Sequence, residues 1–372
     1  MRNISVGPPE AWPTPGSHNR FVEIRLCALT PIFKGGSTAA QVDEGRPFRA
    51  PSIRGALRYW WRATSTIADV AELRAREKAL FGGVHGQGPV ASAVSVAILT
   101  QESTLGPRPK NKPYAFGVTG REAESEARNR QVHTKATGGL RVEWRDDGAG
   151  DEVKRALKAW LLFGGVGGRS RRGAGSVWWN EGLDRPATIE DYIAAWRGLV
   201  PERTTMPWPT LAGSVLLVGP AKDSADAAWA EGLDGMSDVR ASLDVRREFV
   251  QTRGADLLEW KHQDYIPIAA GERFTSRRAA LGLPIRFNGR GNGFRGSLEP
   301  QGHNRYPSPL HLKVAQLGKQ YHPVILAVRG PAPNRLTARH KKGAPTNGTL
   351  DATGLDRFLE LAAQLPGWGR HG

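Results

Sequence analysis

Cysteine is almost missing from this chain: one residue, Cys27, in 372. A lone thiol excludes an intramolecular disulfide and any cysteine-rich zinc site. Its position inside an apolar run suits a small buried hydrophobe. No stretch of 18 apolar residues occurs, so the sequence offers no transmembrane helix. The N-terminal MRNISVGPPEAWPTPG lacks the apolar centre of a signal peptide, and a cytoplasmic location is expected. The nine histidines are scattered without a His-x3-His pair, so no metal site is expected, and no cofactor.

Acidic residues are the other shortage. Lys and Arg number 52 against 36 Asp and Glu, a net charge of +16. Residues 1–180 carry 27 basic and 16 acidic side chains, 181–260 reverse this with 8 and 14, and 261–345 carry 15 and 3. Two basic regions around an acidic one predict a positive face built from both halves of the chain. Such a face calls for a polyanionic partner, nucleic acid first. Hydrophobic content of 39% and twelve tryptophans are enough for a real core.

FVEIRLCALTPIF, 21–33, alternates as a strand until Pro31. PSIRGALRYWWRAT follows as a helix with Ser52 as its N-cap candidate, Ile53, Leu57 and Trp61 forming its buried stripe. Gly55 in its interior suggests that something approaches closely there. AELRAREKALF is a second helix, ASAVSVAILT a buried strand, and 101–137 reads as a long irregular loop. GGLRVEWRDD is a strand, DEVKRALKAWLLF an amphipathic helix, and SVWW a strand. This order predicts a ferredoxin-like βαββαβ unit over 1–182. A second, degraded unit of that kind is expected over 183–372, in an α+β chain. Its region 223–260 reads as mostly helical, LPIRFN, PLHLKVAQL and YHPVILAVR read as strands, and DRFLELAAQL as a closing helix.

Two stretches concentrate the chemistry. LFGGVGGRSRRGAGSVWW contains Gly164, Gly165, Gly167, Gly168, Gly173 and Gly175 around Arg169, Arg171 and Arg172. It follows a helix and precedes a strand, and it has no Gly-Lys-Ser/Thr step. It is therefore neither a Walker loop nor a dinucleotide fingerprint. It reads as a flexible basic loop able to follow a phosphate chain. RPFRAPSIRGALRYWWR carries Arg46, Arg49, Arg54, Arg58 and Arg62 with no acid among them, where an ordinary exposed helix mixes signs. Its N-terminus with Ser52 and Arg54 is a candidate anion site. Trp61 is expected in the core, whereas Tyr59 and Trp60 stay open as stacking platforms. Asp43, His85 and His303 are the candidates for acid–base cleavage of RNA, each more ordinary as a surface residue.

TPIFKGG, RAPSIRGALRYWWRA, KALFGG and GGVGGRSRRGAGS together resemble the RAMP superfamily of CRISPR-associated proteins. More narrowly they are similar to the first RAMP subunits of type III-B (Cmr) effector complexes. LGLPIRFNGR, HNRYPSPLHLKV and YHPVILAV extend that likeness to about residue 330. The resemblance implies two ferredoxin-like units and a non-catalytic subunit that binds guide RNA toward its 3′ end and the target RNA paired with it. Other RAMP subunits would be its protein partners. A RAMP-type endoribonuclease is the alternative. The residues expected on RNA are Lys34, Arg46, Arg49, Ser52, Arg54, Arg58 and Arg62, then Arg169, Arg171 and Arg172, then Arg290, Arg295 and Arg305.

Overall fold

The computed structural model describes residues 20–34, 42–84, 88–109, 112–116, 131–145, 147–202, 206–243, 245–252, 255–288, 295–341 and 343–372. The first elements are β1 (Arg20–Ala28), α1 (Ala50–Thr64), α2 (Val70–Phe81), β2 (Val94–Pro107) and the single turn α3 (Pro113–Phe116). They are followed by β3 (Gln131–Trp144), α4 (Gly150–Phe163) and β4 (Val177–Glu181). Their strands pair antiparallel in the order β2-β3-β1-β4, the arrangement expected of a ferredoxin-like unit.

The chain continues through α5 (Ile189–Arg197), β5 (Thr210–Val218), α6 (Ala225–Ser242), β6 (Val245–Thr252), β7 (Ala255–His262), α7 (Tyr265–Ala270) and β8 (Phe274–Ser276). It ends with β9 (Ile285–Asn288), β10 (Arg295–Pro300), β11 (Leu310–Leu317), β12 (Gln320–Arg329), β13 (Arg335–His340), β14 (Thr346–Leu350), α8 (Thr353–Ala362) and β15 (Gly369–His371). The order β11-β12-β5-β15 repeats the strand order of the first sheet. The second unit is thus complete rather than degraded. Its pattern is diluted because a separate five-stranded sheet, β8-β14-β13-β10-β9, is built from segments inserted after α6 and after β12.

Burial explains how the layers stack. In β1 exposed and buried residues alternate, so one face of the first sheet is open. β5, β11 and β12 are buried almost throughout. Leu216, Val218, Val324 and Leu326 share one core with Ile53, Leu57, Trp60, Trp61, Leu157 and Trp160 of α1 and α4. Their neighbours Val215, Leu217, Ile325 and Ala327 join a second core with Trp229 and Leu233 of α6 and Phe358 of α8. The second sheet is covered on both faces, giving the sequence sheet, helices, sheet, helices.

Five local expectations change. Residues 101–107 and 131–137 are not loop but the outer arms of β2 and β3, paired from Glu102↔Thr137 to Pro107↔Gln131. The β2 arm is polar and largely unburied, whereas the β3 arm still buries Val132, His133 and Ala136. Residues 245–252 and 255–262 pair antiparallel as β6 and β7 rather than forming helix. α8 does not close the chain: Gly369, Arg370 and His371 pair with β5. α1 begins at Ala50 with Arg49 as N-cap and no side-chain cap, and Pro51 occupies its first turn. Ser52 therefore lies inside the helix instead of capping it. A Cβ on Gly55 would meet nothing within 4 Å, so no close approach explains that glycine. Among the described residues, no helix is long and apolar enough to cross a membrane.

Candidate nucleic-acid interface

The arginines of α1 and its approach are already partnered. Arg58 lies 2.8 Å and Arg62 2.9 Å from the carboxylate of Glu77, a buried residue of α2. Arg54 donates to the carbonyl of Phe81 at the end of α2. Arg49 pairs with Asp43. Lys34 is 3.9 Å from Asp43, donates to the carbonyl of Arg46, and leaves only 8% of its side chain exposed. Burial first, then the charge of Arg49, lowers the Lys34 pKa. Below them His133 is fully buried, bonded through Nδ1 to Ser103 Oγ at 2.9 Å. Burial, helped by Lys34, lowers its pKa to about 4. The acids missing from the local sequence are thus supplied by α2 and by the loop after β1. Arg46 and Ser52 are exposed.

The glycine loop is tightly folded, which corrects the expectation of a flexible one. Val166 N–H donates to Gly175 O at 2.9 Å, and Gly175 N–H to Pro31 O at 2.9 Å. Gly175 has φ +65, and a Cβ there would sit 2.0 Å from Val166 O, so only glycine fits. Gly167 and Gly173 also take positive φ, and Gly164, Gly165 and Gly168 pack against Trp160, Gly175 and Phe33. The same loop joins the two units. Leu312 N–H donates to Arg171 O at 3.0 Å, Trp229 Nε1 to Arg172 O at 2.8 Å, and Lys313 Nζ to Gly164 O at 2.8 Å. Lys313 is fully buried, and burial drives its pKa well below the ordinary lysine value.

Beside this seam lies a cleft of about 690 Å³, within the size range of ligand sites. Arg169, Arg171 and Arg172 enter it from the loop, Arg240 from α6 and Arg305 from the segment before β11. Tyr59, Tyr114, Tyr306 and His311 line its walls, and no Asp or Glu does among the described residues. Arg171 stands over the Tyr59 ring at 5.8 Å. Arg172 lies 4.9 Å over Tyr114 and donates to its carbonyl. Burial lowers the Arg172 pKa, and Arg169 and Arg240 act in the same direction. Tyr59 Oη is 3.2 Å from His311 Nε2. Burial and then Arg171 push the His311 pKa well below its ordinary value, leaving the ring neutral.

Of the sequence-predicted residues, the structure brings together Arg169, Arg171, Arg172 and Arg305. Arg54, Arg58 and Arg62 form a separate group on α1. Arg295 opens β10 and is exposed. Arg290 lies outside the described residues, as does His85. His303 is exposed, and Asp43 is engaged by Arg49 and Lys34. Trp60 and Trp61 are both core, each 2% exposed; of the aromatic trio Tyr59 and Trp60 line the cleft and Trp61 does not. Arg240 was hidden by its helix, whose stretch AEGLDGMSDVR is acidic on average. His311 carried a faint signal, a histidine within an otherwise apolar strand.

Residues 25–178 match the model of the RAMP superfamily. No curated protein matches the chain. Cmr1 from Pyrococcus furiosus, in its apo form, superposes with a TM-score of 0.58 at 17% identity, over 94% of this chain and 98% of its own. A chain of a type III-B Cmr-beta complex bound to cognate target RNA gives 0.52 at 9% identity, over 93% and 100%. The same kind of complex with AMPPnP and single-stranded DNA present gives 0.50 at 10%, over 93% and 99%. At these identities the likeness is one of fold.

Proposed function

We propose, from the premise that residues 25–178 belong to the RAMP superfamily, that this chain is an RNA-binding subunit of a type III-B CRISPR effector ribonucleoprotein. In this reading it binds guide RNA toward its 3′ end, together with the paired target, and leaves cleavage to other subunits. The observation that carries it is the cleft: five arginines from three chain segments converge with no carboxylate among its described lining residues. Clustered guanidinium groups without acids repel one another, and a polyanion relieves that cost while releasing its own counterions. Guanidinium contacts to phosphate are indifferent to base identity, which suits a protein that must accept any guide. Tyr59, Tyr114 and Tyr306 add sequence-tolerant aromatic surface.

The experiment is photocrosslinking of a 4-thiouridine single-stranded RNA, with adducts located by peptide mass spectrometry. Adducts are expected at 59, 114, 169–172 and 305–311. Adducts confined to the open face of the first sheet, as at Phe21 and Leu99, would contradict the reading.

One observation keeps the ribonuclease alternative specific. His311 is neutral and bonded to Tyr59 beside Arg171, a base–phosphate-anchor pairing. Only 7% of His311 is exposed, which denies it reach to a ribose hydroxyl. Cleavage of labelled RNA that disappears in His311→Ala would establish the alternative.

A further inference from the structure

The inserted sheet β8-β14-β13-β10-β9 has two unlike faces. Leu298, Ala338, Leu336, Phe287 and Phe274 pack one of them into a small core. Strand register sends their alternates to the other face. Arg286 lies opposite Ser297, which lies opposite Arg339, and Arg335 lies opposite Thr349, itself opposite Thr275. Lys341 continues the same side of β13, and Arg295 begins β10 beside it, its carbonyl accepting the Lys341 N–H at 2.8 Å. All five cationic side chains of this face are exposed. Glu299 is its one acid among the described residues, held by Ser297 at 2.6 Å and Arg339 at 2.7 Å. No large apolar side chain accompanies them there.

From this we infer that the outer face of the inserted sheet is a second RNA-backbone track, continuous with the cleft. The inference rests on the RNA reading of the cleft and extends it. Continuity is given by the chain: Leu281 to Pro284 line the cleft and run directly into β9, and Arg305 and Tyr306 line it between β10 and β11. Four inter-strand spacings of about 4.8 Å make the face about 19 Å wide, room for several nucleotides. The chemistry favours RNA over an acidic protein. A protein interface needs an apolar centre, and this face offers guanidinium, ammonium, hydroxyl and amide groups with the one carboxylate of Glu299, and no large apolar side chain. Lacking aromatic rings, it neutralises phosphates and reads no bases.

The test measures binding of single-stranded RNAs of about five and about twenty nucleotides to the full chain over a salt series. It compares wild type, Arg286→Ala/Arg335→Ala/Lys341→Ala, and Arg169→Ala/Arg171→Ala/Arg305→Ala. The sheet variant should match wild type on the short RNA. On the long RNA it should bind about tenfold more weakly, with a salt slope shallower by about 2 for three lost phosphate contacts. The cleft variant should weaken on both lengths. Equal long-RNA affinity and slope in sheet variant and wild type overturn the second track while leaving the cleft reading intact. So does loss of polyglutamate binding without loss of RNA binding. Absence of RNA binding by wild type overturns both. The substituted side chains are exposed except for half-buried Arg171, and unchanged thermal unfolding certifies the fold.

Discussion

Two groups of arginines face different fates in this molecule. On α1, Arg54, Arg58 and Arg62 are spent internally, on Phe81 O and on Glu77. In the cleft, Arg169, Arg171 and Arg305 converge with Arg240, and no acid lines the site with them among the described residues. In sequence the α1 group looked the stronger, with five arginines and no local acid. Charge clustering along a chain thus says little until the elements packed against it are known. Glu77 lies 15 residues beyond Arg62 and neutralises it; Arg240 lies far beyond the loop and adds to it.

The largest effect is expected at the glycines of the arginine loop. Gly175→Val places a side chain 2.0 Å from Val166 O at φ +65. It should cost more than about 4 kcal/mol, visible as a large fall in Tm and loss of RNA binding. Next, Glu77→Ala removes the shared partner of Arg58 and Arg62 and should cost about 2 kcal/mol, reduced by the partial exposure of both arginines. Chemical denaturation measures that loss, and RNA affinity should stay within about twofold.

An effect of similar size separates the two groups by pH. His133, under the Lys34–Asp43–Arg49 cluster, has its pKa lowered from 6.5 to about 4. The fold holds the neutral ring, so this contribution is complete above pH 6.5 and is lost as pH falls toward 4. Stability should drop by about 2 kcal/mol between pH 7 and 4.5, and His133→Gln should flatten that part of the profile. An equal drop in the variant would assign it to other groups. Smallest of all, Gly55→Ala should raise helix stability by up to about 1 kcal/mol, because its Cβ enters open space. A glycine is dispensable on the arginine helix and indispensable in the arginine loop.

Much of the first unit was legible. Period-two alternation in β1 and the stripe Ile53–Leu57–Trp61 follow from a sheet and helices each buried on one side. β5, β11 and β12 read as plain apolar runs because both their faces are covered. β15 was not legible: three residues, Gly369 to His371, carry no pattern, and only pairing with β5 makes them a strand. The arms of β2 and β3 misled because the β2 arm shows no apolar face and the β3 arm buries only Val132, His133 and Ala136, too few to read as a strand pattern. At the site, Arg171 and Arg305 were found by charge and context. Tyr114, Arg240 and His311 were missed as cleft residues because tertiary packing alone brings them there.

On the proposed reading the cleft arginines, and not the α1 arginines, hold RNA phosphates. The salt dependence of RNA affinity in Arg169→Ala/Arg171→Ala/Arg305→Ala against Arg54→Ala/Arg58→Ala/Arg62→Ala decides between the two groups. The cleft variant should lose about 2 from the slope of log affinity against log salt, and the α1 variant less than about 0.7, one phosphate's worth. A full loss of slope in the α1 variant, with the cleft variant behaving as wild type, would contradict the account.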